Sequence, residues 1–475
     1  MKHKIICGHV LDVLKAMPDE SIDTIVTSPP YWGLRDYGEE TNTIWGGDSN
    51  CEHEWIVGTT NHDNLRPSKV SEKTIVASNK ELRFRTHERV KNALCAKCGA
   101  WYGQLGLEPI LDLYIEHLMD IMRELKRVLK KTGVIFWNHA DSYGGSRGAS
   151  GKYPEVHPEG NVGERFGIDK RKISIFPSKP PALYLTPKCM LLQNYRFIIR
   201  CIDELGLILR DVIIWAKKIW VAKENKTVGN AMPSSVRDRC VFTYEPVFML
   251  VKNKKYFFDQ DALRVPYTQS LNRWGGNELK ARGKSEWDSR TGQKTYRDRN
   301  MRPNAMGANR PNIWQIHTER VEFTHFACFP SELVKWCILA GCPQWICKRC
   351  GNARVRITRT KKTKEINDIS ELRKRHKDHL AQPLKRYETI HYTIGWRDCA
   401  CNAGWESGVV LDPFGGSGTV GIVAEKLGRN SILIDLNKEY CEMAYKRLKS
   451  VAAQVKLGEE PSIICLLYTS PSPRD

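Results

Sequence analysis

Apolar residues recur along most of this chain at spacings that predict alternating helices and strands. Between residues 110 and 129 they fall at helical intervals, and residues 133–138 (GVIFWN) form an apolar run typical of a buried strand. The alternation continues with a helix over 191–205, strands over 207–215 and 245–251, and a strand–helix–strand–helix unit over 409–451. Strands that alternate with helices predict an α/β fold, here a Rossmann-like sheet covered by helices.

Polar and basic segments without periodicity interrupt this pattern. Residues 39–105 and 347–401 are each bracketed by cysteines, and residues 271–310 carry ten lysines and arginines against four acidic residues. Residues 459–475 have no period, and we expect a disordered tail there. The predicted organisation is a core built from 1–38, 106–270, 311–346 and 402–458, with insertions at 39–105, 271–310 and 347–401.

The chain is strongly basic. Its 475 residues include 74 lysines and arginines against 54 acidic residues, a formal net charge of +20. Basic side chains displace the counterions condensed on phosphates, so nucleic acid is the first candidate partner, although charge alone also fits an anionic membrane surface. The sequence has no apolar stretch long enough to span a membrane and no signal-peptide cleavage site, so we expect a cytoplasmic protein.

The sixteen cysteines, in a reducing compartment, are expected to be metal ligands or buried thiols rather than disulfides. Two sets have the residue types of closed structural zinc sites, one with three cysteines and a histidine and one with four cysteines. The first cysteine cluster consists of Cys51, His53, Cys95 and Cys98, and the second of Cys347, Cys350, Cys399 and Cys401. The alternative for both is a scatter of buried thiols. Because each set holds four ligands, neither leaves a position for zinc-bound water chemistry.

A glycine-rich segment follows the strand predicted over 409–411. Glycines between a strand and a helix allow a tight turn and let a ligand approach backbone N–H groups. This glycine loop consists of Asp412, Pro413, Phe414, Gly415, Gly416, Ser417 and Gly418. Asp435 ends the next strand, where a carboxylate can accept hydrogen bonds from ribose hydroxyls. The loop begins with Asp-Pro-Phe, which favours S-adenosylmethionine over a pyrophosphate cofactor; the alternatives are an ordinary turn and, for Asp435, a carboxylate at a helix N-terminus.

The strand predicted over 23–28 runs into the sequence TSPPYW. We call Ser28, Pro29, Pro30 and Tyr31 the proline turn. Two prolines remove backbone donors and fix an extended turn, so its carbonyls are expected to be free acceptors. A hydroxyl and a carbonyl can hold the hydrogens of an exocyclic amine so that its lone pair faces a methyl group, and Tyr31 can stack on a flipped base. The alternative is an ordinary Pro-Pro loop with packed aromatic residues.

TSPPYW and the glycine loop with the strand and helix after it (411–447) resemble the DNA amino-methyltransferases. The resemblance is to the permuted group, in which the catalytic motif precedes the cofactor motif. It extends to RDVIIWAKK (210–218), to residues 230–259 and to HFACFPSELV (325–334). It implies a bacterial or phage enzyme, working in the cytoplasm of a bacterium or an infected host cell, that transfers a methyl group from S-adenosylmethionine directly to an amino group of a flipped base in DNA.

The resemblance also implies roles for single residues. Ser28 and the Pro29 carbonyl hold the amine, Tyr31 stacks on the base, and the glycine loop and Asp435 surround the methyl donor. Serine at the first motif position is usual for cytosine N4 as the target, so cytosine N4 is favoured and adenine N6 is the alternative. The family often has Gly-Asp where this chain has Gly8-His9. Either His9 substitutes in contacting the donor or that contact is missing.

Other functions remain open at this stage. One is a zinc-containing DNA-binding protein with an inactive methyltransferase core, and another is methylation of RNA or of a protein amide. The resemblance is also compatible with a cognate restriction enzyme as a partner. We assign DNA contacts to residues 271–310 and 351–390, whose net charges are +6 (ten basic less four acidic) and +7 (twelve less five). The alternative for these segments is a solvated coil.

Overall fold

The computed structural model describes residues 2–33, 37–57, 93–108, 110–143, 188–231, 236–265, 307–319, 329–366, 386–455 and 462–465. It divides the chain into two compact units. Unit 1 comprises Met1–Tyr256, Ile313–Cys342 and Gly408–Asp475, and unit 2 comprises Phe257–Asn312 and Pro343–Ser407. Most of the predicted DNA-contacting segment 271–310 lies outside the described residues.

The regular elements of both units are numbered in chain order. The strands are β1 (His3–Cys7), β2 (Ile22–Thr27), β3 (Thr43–Trp45), β4 (Trp55–Val57), β5 (Ala93–Cys95), β6 (Trp101–Gly103), β7 (Leu129–Asn138), β8 (Ile208–Ala216), β9 (Lys218–Val221), β10 (Lys226–Gly229), β11 (Tyr244–Val251), β12 (Ile313–Gln315), β13 (Ile346–Cys347), β14 (Val355–Ile366), β15 (Arg386–Arg397), β16 (Trp405–Glu406), β17 (Val409–Asp412), β18 (Asn430–Asp435) and β19 (Ser462–Cys465). The α-helices are α1 (Val10–Ala16), α2 (Leu111–Val128), α3 (Gln193–Asp203), α4 (Gln260–Leu263), α5 (Ser331–Gly341), α6 (Thr419–Lys426) and α7 (Lys438–Val455).

A nine-stranded sheet forms the centre of unit 1, in the order β12-β8-β11-β7-β2-β17-β18-β1-β19. Among these described strands only β11 runs antiparallel to its neighbours, β7 and β8, and the other neighbouring pairs are parallel. This mixed sheet confirms the predicted α/β fold. Because β1, β2, β17 and β18 are all parallel, their carboxyl ends meet at one edge of the sheet, the edge at which open α/β sheets bind ligands.

Successive residues of the central strands point to opposite faces of the sheet, and helices cover both faces. Ile135 and Trp137 of β7 belong to a core shared with α1, α2 and α3. Phe136, between them, lies against Gly341 at the end of α5, where a Cβ would be 2.7 Å from the Phe136 ring. Burial on both faces explains why these strands appear in the sequence as continuous apolar runs.

The insertion at 39–105 is folded in its described part. Strands β3, β6, β5 and β4 form an antiparallel sheet in that order. Trp101 of β6 pairs with Trp45 of β3 and with Leu94 of β5, and all three side chains are buried. Each strand has only three residues, which is too short to show a period in the sequence.

Unit 2 differs from the expectation of an irregular loop over 351–390. Strands β14 and β15 form a long antiparallel ribbon, with Val355 opposite Arg397 and Ile366 opposite Arg386. A ribbon of two strands pairs its backbone but buries little apolar surface, so its sequence need not carry an apolar stripe. The polarity of the segment is therefore compatible with regular structure. Residues 367–385 lie outside the described part of the chain.

The segment expected to be a disordered tail contributes a strand. Ser462–Cys465 form β19, which runs parallel to β1 at the edge of the sheet and places Ile463 opposite Ile5. Four residues are too few for a sequence period to reveal them. Within the described residues, no helix combines the length and the apolar character needed to cross a membrane.

The carboxyl group of Asp412 joins two strands at the centre of the sheet. Thr27 Oγ1, at the end of β2, donates to Asp412 Oδ1 at 2.7 Å, and the Phe414 N–H donates to the same oxygen at 3.1 Å. Asp412 is only 1% exposed. Burial raises the pKa of its carboxyl group to about 7, although both hydrogen bonds favour the ionised form.

This raised pKa predicts a pH dependence of stability. Because the folded protein binds the Asp412 proton more tightly than the unfolded chain, the stabilisation is complete below about pH 4, the ordinary pKa of Asp, and is lost as the pH rises through about 7. Asp412→Asn should abolish this contribution, which is at most about 4 kcal/mol. Urea unfolding of both proteins between pH 5 and 8 measures the difference. Parallel curves of unfolding free energy against pH would contradict the prediction.

Candidate active site

The proline turn follows β2 at the carboxyl edge of the sheet. Tyr114 of α2 donates its hydroxyl to the Pro30 carbonyl at 2.7 Å, so this carbonyl is not the free acceptor that the sequence predicts. No described residue donates to the Pro29 carbonyl. Gly106 packs against the turn, and a Cβ there would lie 3.1 Å from the Tyr31 carbonyl oxygen. The Pro30 carbonyl therefore already has a donor, whereas the carbonyl of the buried Pro29 has none among the described residues.

A chain of hydrogen bonds runs from Ser28 into the protein. Ser28 Oγ donates to Tyr31 OH at 2.9 Å, and Tyr31 OH donates to Glu245 Oε2 at 3.0 Å. Glu245, near the start of β11, also pairs with Lys217. Tyr31 OH lies 3.3 Å from Asn138 Oδ1 at the end of β7. The two hydroxyls of the proline turn are thus oriented by groups on neighbouring strands.

The ring of Tyr31 stacks on His139, with centroids 5.2 Å apart and planes inclined by 20°. Burial lowers the pKa of His139 to about 3, so the imidazole is neutral at pH 7. Burial and the nearby Glu245 raise the pKa of Tyr31, so the phenol keeps its proton. Both rings are therefore uncharged, and His139 covers one face of Tyr31.

The glycine loop turns tightly between β17 and α6. Gly415 N–H donates to the Ile434 carbonyl at 2.8 Å, and Gly418 N–H donates to the Gly415 carbonyl at 2.9 Å. Gly416 and Gly418 have φ angles of +47° and +82°, in the left-handed region that favours glycine. These two glycines are required by the turn itself, whether or not a ligand is bound.

Asp435 lies beside this loop at the end of β18. Its Oδ2 accepts the Gly416 N–H at 2.7 Å, and its Oδ1 accepts the Asn437 N–H at 2.9 Å. These bonds orient the carboxylate between the glycine loop and the turn that leads into α7. A carboxylate has about four acceptor sites, which makes this group chemically suited to accept the hydroxyls of a ligand.

A pocket opens between the proline turn and the glycine loop. The predicted site residues that line it are His9, Ser28, Pro30, Asp412, Pro413, Phe414, Gly415, Gly416, Ser417 and Asp435. Pro29, Tyr31 and Gly418 are not among the lining residues. The pocket joins parts of the chain that are far apart in sequence, since Thr27, which precedes the lining residue Ser28, is 385 positions from Asp412.

His9 forms part of the pocket wall and is 6% exposed. Its Nδ1 lies 3.3 Å from Asp12 Oδ2, whereas Nε2 is buried without a hydrogen-bond partner in the described residues. The ring meets Trp45 edge to face, with centroids 4.5 Å apart. His9 therefore presents an unsatisfied ring nitrogen where the family often has an acidic residue.

Several residues of the site were not singled out from the sequence. Lys217 and Glu245 lie within segments that carry the family resemblance, which is the signal that could have revealed them. Trp45 stands in an aperiodic segment and has no such signal. The further lining residues are Gly8, Val10, Tyr37, Thr41, Trp45, Gln104, Leu105, Phe329, Thr419, Leu436, Asn437 and Tyr440.

Both cysteine clusters are assembled as four-ligand groups. The ligand atoms of each cluster lie within 4.8 Å of one another. In the first cluster Cys51 Sγ is 3.9 Å from Cys95 Sγ, and Cys98 Sγ is 3.4 Å from His53 Nδ1. Donor atoms at these separations fit around one tetrahedral zinc ion, whose bonds to sulfur and nitrogen are about 2.0–2.3 Å long.

The two clusters also share a local architecture that the sequence analysis did not recognise as a repeat. Each contains a C-x-x-C-G turn in which the glycine N–H donates to the carbonyl of the first cysteine and has a positive φ. In each, the first cysteine pairs with a tryptophan on a neighbouring strand. The glycines are Gly99 and Gly351, with φ of +74° and +70°, and the pairs are Cys95 with Trp55 and Cys347 with Trp405.

Comparisons with known proteins identify the family. A family model described as a DNA methylase, N6_N4_Mtase, matches residues 22–344 and 357–446. The chain is 24% identical over 446 residues to the type II methyltransferase M.SmaI of Serratia marcescens, covering 94% of this chain and 90% of that protein. It is 25% identical over 460 residues to the type II methyltransferase M.Cfr9I of Citrobacter freundii, covering 96% and 88%. The structure of the PvuII DNA methyltransferase (cytosine-N4-specific) aligns over 97% of this chain and 95% of its own, with 13% identity and a TM-score of 0.40.

The family model covers both the proline turn and the glycine loop, together with most of the sheet that places them at one edge. The chain therefore belongs to the N6/N4 DNA methylase family and is a DNA amino-methyltransferase.

Proposed function

We propose that the pocket binds S-adenosylmethionine and that the protein methylates an amino group of a flipped base in DNA, with cytosine N4 favoured. One observation carries this proposal: Ser28 of the proline turn lines the same pocket as Asp412 and Asp435. Direct methyl transfer requires the amine and the donor to be held together in a reactive geometry. A pocket bounded by an amine-holding turn and a donor-holding loop meets that requirement.

The residues around the pocket fit an adenosyl donor. The carboxylate of Asp435 can accept hydrogen bonds from the ribose hydroxyls. The buried Nε2 of His9 has no hydrogen-bond partner among the described residues, and the adenine of the methyl donor can supply one. Phe414 and Trp45 provide aromatic walls. We assign the donor to His9, Asp435 and the glycine loop, which comprises Asp412, Pro413, Phe414, Gly415, Gly416, Ser417 and Gly418.

S-adenosylmethionine supplies, when bound, a methyl group on a positively charged sulfur. The Ser28 oxygen and the Pro29 carbonyl would accept the two hydrogens of the target amine, which directs its lone pair away from the base ring. The Ser28 hydroxyl donates its hydrogen bond to Tyr31 OH, so the lone pairs of the Ser28 oxygen remain available as acceptors. Tyr31, with His139 behind it, would offer its other face to the base. No covalent enzyme intermediate is required.

Serine at position 28 favours cytosine N4, and adenine N6 is the alternative target. The proline turn precedes the glycine loop in the chain, so we assign the protein to the permuted group of the family. Because the relatives are type II methyltransferases, we also propose a cognate restriction enzyme as its functional partner. A zinc-containing DNA-binding protein with an inactive core is the rival from another class.

Methyl transfer to unmodified duplex DNA tests the proposal. After incubation with radiolabelled S-adenosylmethionine, the DNA is digested to nucleosides and the labelled base is identified by chromatography. N4-methylcytosine is the expected product, and N6-methyladenine would select the alternative. Label in an RNA or protein control but not in DNA would contradict the DNA assignment, and donor binding without any transfer would favour the inactive rival.

Substitution of the proline turn should separate chemistry from donor binding. Ser28→Ala and Tyr31→Ala each remove a group that addresses the base, so transfer should fall by at least about 100-fold. Calorimetry should find S-adenosylmethionine affinity within about 3-fold of the wild type, since neither side chain addresses the donor. Loss of donor binding in either variant would mean that the site is misassigned.

Glu245 should act as a positioning residue. Glu245→Gln removes the negative charge that accepts the Tyr31 hydroxyl and pairs with Lys217, so kcat should fall by about 10–100-fold through misorientation of Tyr31 and Ser28. The Kd for the donor should not change. Glu224→Gln, at an exposed carboxylate elsewhere in unit 1, is the matched control. Equal kcat values for Glu245→Gln and this control would exclude the role.

We further propose that each cysteine cluster binds one structural zinc ion. Full four-ligand sets couple metal binding to local folding. Cys98→Ser and Cys350→Ser should each lose about one of about two zinc ions per chain. Elemental analysis of purified protein measures this, with Cys240→Ser, at an exposed cysteine outside both clusters, as the control. A wild-type protein purified without chelators that contains no metal would exclude both sites.

A further inference from the structure

The small sheet that holds the first cysteine cluster, together with the residues flanking it in the chain, also forms one wall of the pocket. The wall residues from this part of the chain are Tyr37, Thr41, Trp45, Gln104 and Leu105. Nothing in the sequence connected this insertion with the methyl donor. Its described residues instead place a metal-ligand cluster and a pocket wall on a single folded element.

The strands give a direct connection between the cluster and the wall. Cys95, a ligand of the first cluster, lies in β5, next to Leu94. Leu94 pairs with Trp101 in β6, and Trp101 pairs with Trp45 in β3. The path from a metal ligand to the pocket therefore crosses two strand pairings and no irregular loop.

A second connection is made by close packing. Two residues after Trp45, Gly47 adopts a φ of +74° and lies so near the cluster that a Cβ would be 2.9 Å from Cys98 Sγ. The chain continues to the ligand Cys51, whose N–H donates to the Asp48 carbonyl at 3.1 Å. The position of the segment that carries Trp45 thus depends on where the sulfur of Cys98 lies.

Trp45 connects the small sheet with the wall of the pocket. Its indole N–H donates to the Gly103 carbonyl at 3.1 Å, and its ring lies between His9 and His117, with centroid distances of 4.5 and 5.5 Å. His117 is itself fixed by Glu108, at 2.9 Å between Nδ1 and Oε1. Trp45 is 3% exposed. It therefore holds His9, whose unpaired Nε2 belongs to the same wall.

A sheet with strands of three residues has little stability of its own. Short strands need a substantial apolar face or a cross-link, and a small element with a four-ligand metal site obtains much of its folding free energy from the metal. The wall of the pocket should therefore be ordered only when the cluster is loaded.

We propose that the metal bound by Cys51, His53, Cys95 and Cys98 controls the affinity of the pocket for the methyl donor, and that Trp45 is a donor-binding residue. The proposal rests on the proposed function, since it takes S-adenosylmethionine as the ligand of the pocket. It assigns the first cluster to donor binding and leaves the second cluster, in unit 2, without that role.

Calorimetric titration of full-length variants with S-adenosylmethionine, combined with elemental analysis, tests the proposal. Cys98→Ser should lose one metal ion and bind the donor at least about 10-fold more weakly. Trp45→Ala should keep its metal content and show a similar loss, whereas Trp45→Phe should retain most of the affinity. Cys350→Ser should lose one metal ion yet bind the donor like the wild type, and Cys240→Ser should change neither quantity.

The variants distinguish failure of this inference from failure of the proposed function. If the wild type does not bind S-adenosylmethionine, the proposed function fails, and the inference fails with it. If the wild type binds and Cys98→Ser loses its metal without losing affinity, only the coupling is overturned. If Cys98→Ser fails to fold, Trp45→Ala still tests whether Trp45 contacts the methyl donor. Chelation of the wild type, followed by addition of zinc, then tests the coupling between metal binding and donor binding. The affinity for S-adenosylmethionine should be lost on chelation and restored by zinc. Unchanged affinity in Trp45→Ala, or in the chelated protein, would overturn the proposal.

Discussion

The hydrogen bond from Thr27 to Asp412 marks the constraint on which the rest of the structure depends. It joins the carboxyl ends of β2 and β17, two parallel neighbours that each continue into a functional segment. Since neither strand can shift without breaking this pairing, the proline turn and the glycine loop are fixed on opposite sides of one pocket. The order of the two motifs along the chain does not alter this relation, because adjacency in a sheet is independent of order along the chain.

The predictable parts of the protein are those in which one local rule determines the structure. The helix predicted over 110–129 is α2, Leu111–Val128, because an amphipathic stripe of this length has no good alternative to a helix. The proline turn and the glycine loop also follow the ends of the strands predicted to carry them. Trp45 and Glu245 could not be assigned in this way, since their roles depend on partners more than seventy residues away, His117 and Tyr31 among them. Strands of three or four residues, and a basic ribbon with little to bury, left no period to detect.

The surroundings of the proline turn combine neutral rings with one fixed ion pair. His139 and Tyr31 keep their uncharged forms. Glu245 lies next to the Tyr31 hydroxyl, and its negative charge is balanced by the positive charge of Lys217. An amine that approaches Ser28 would therefore meet oriented oxygen lone pairs without a net negative charge beside it. Such preorganised polar groups stabilise a developing charge without reorganising during the reaction. Asp412 differs from these groups, because burial directly raises the pKa of its single carboxyl group.

The pairing of the first strands with the last has a consequence for biosynthesis. β1 and β2 lie beside β18 and β17, and His3 Nε2 contacts Glu425 Oε2 at 2.5 Å across 422 positions. Contacts between residues so distant in sequence are slow to form. During translation β2 can pair early with β7, but β1 and the other edge of β2 stay unpaired until β17, β18 and β19 have been made. Exposed strand edges promote aggregation, so we expect the nascent chain to need a chaperone more than a protein in which these four strands follow one another closely along the chain.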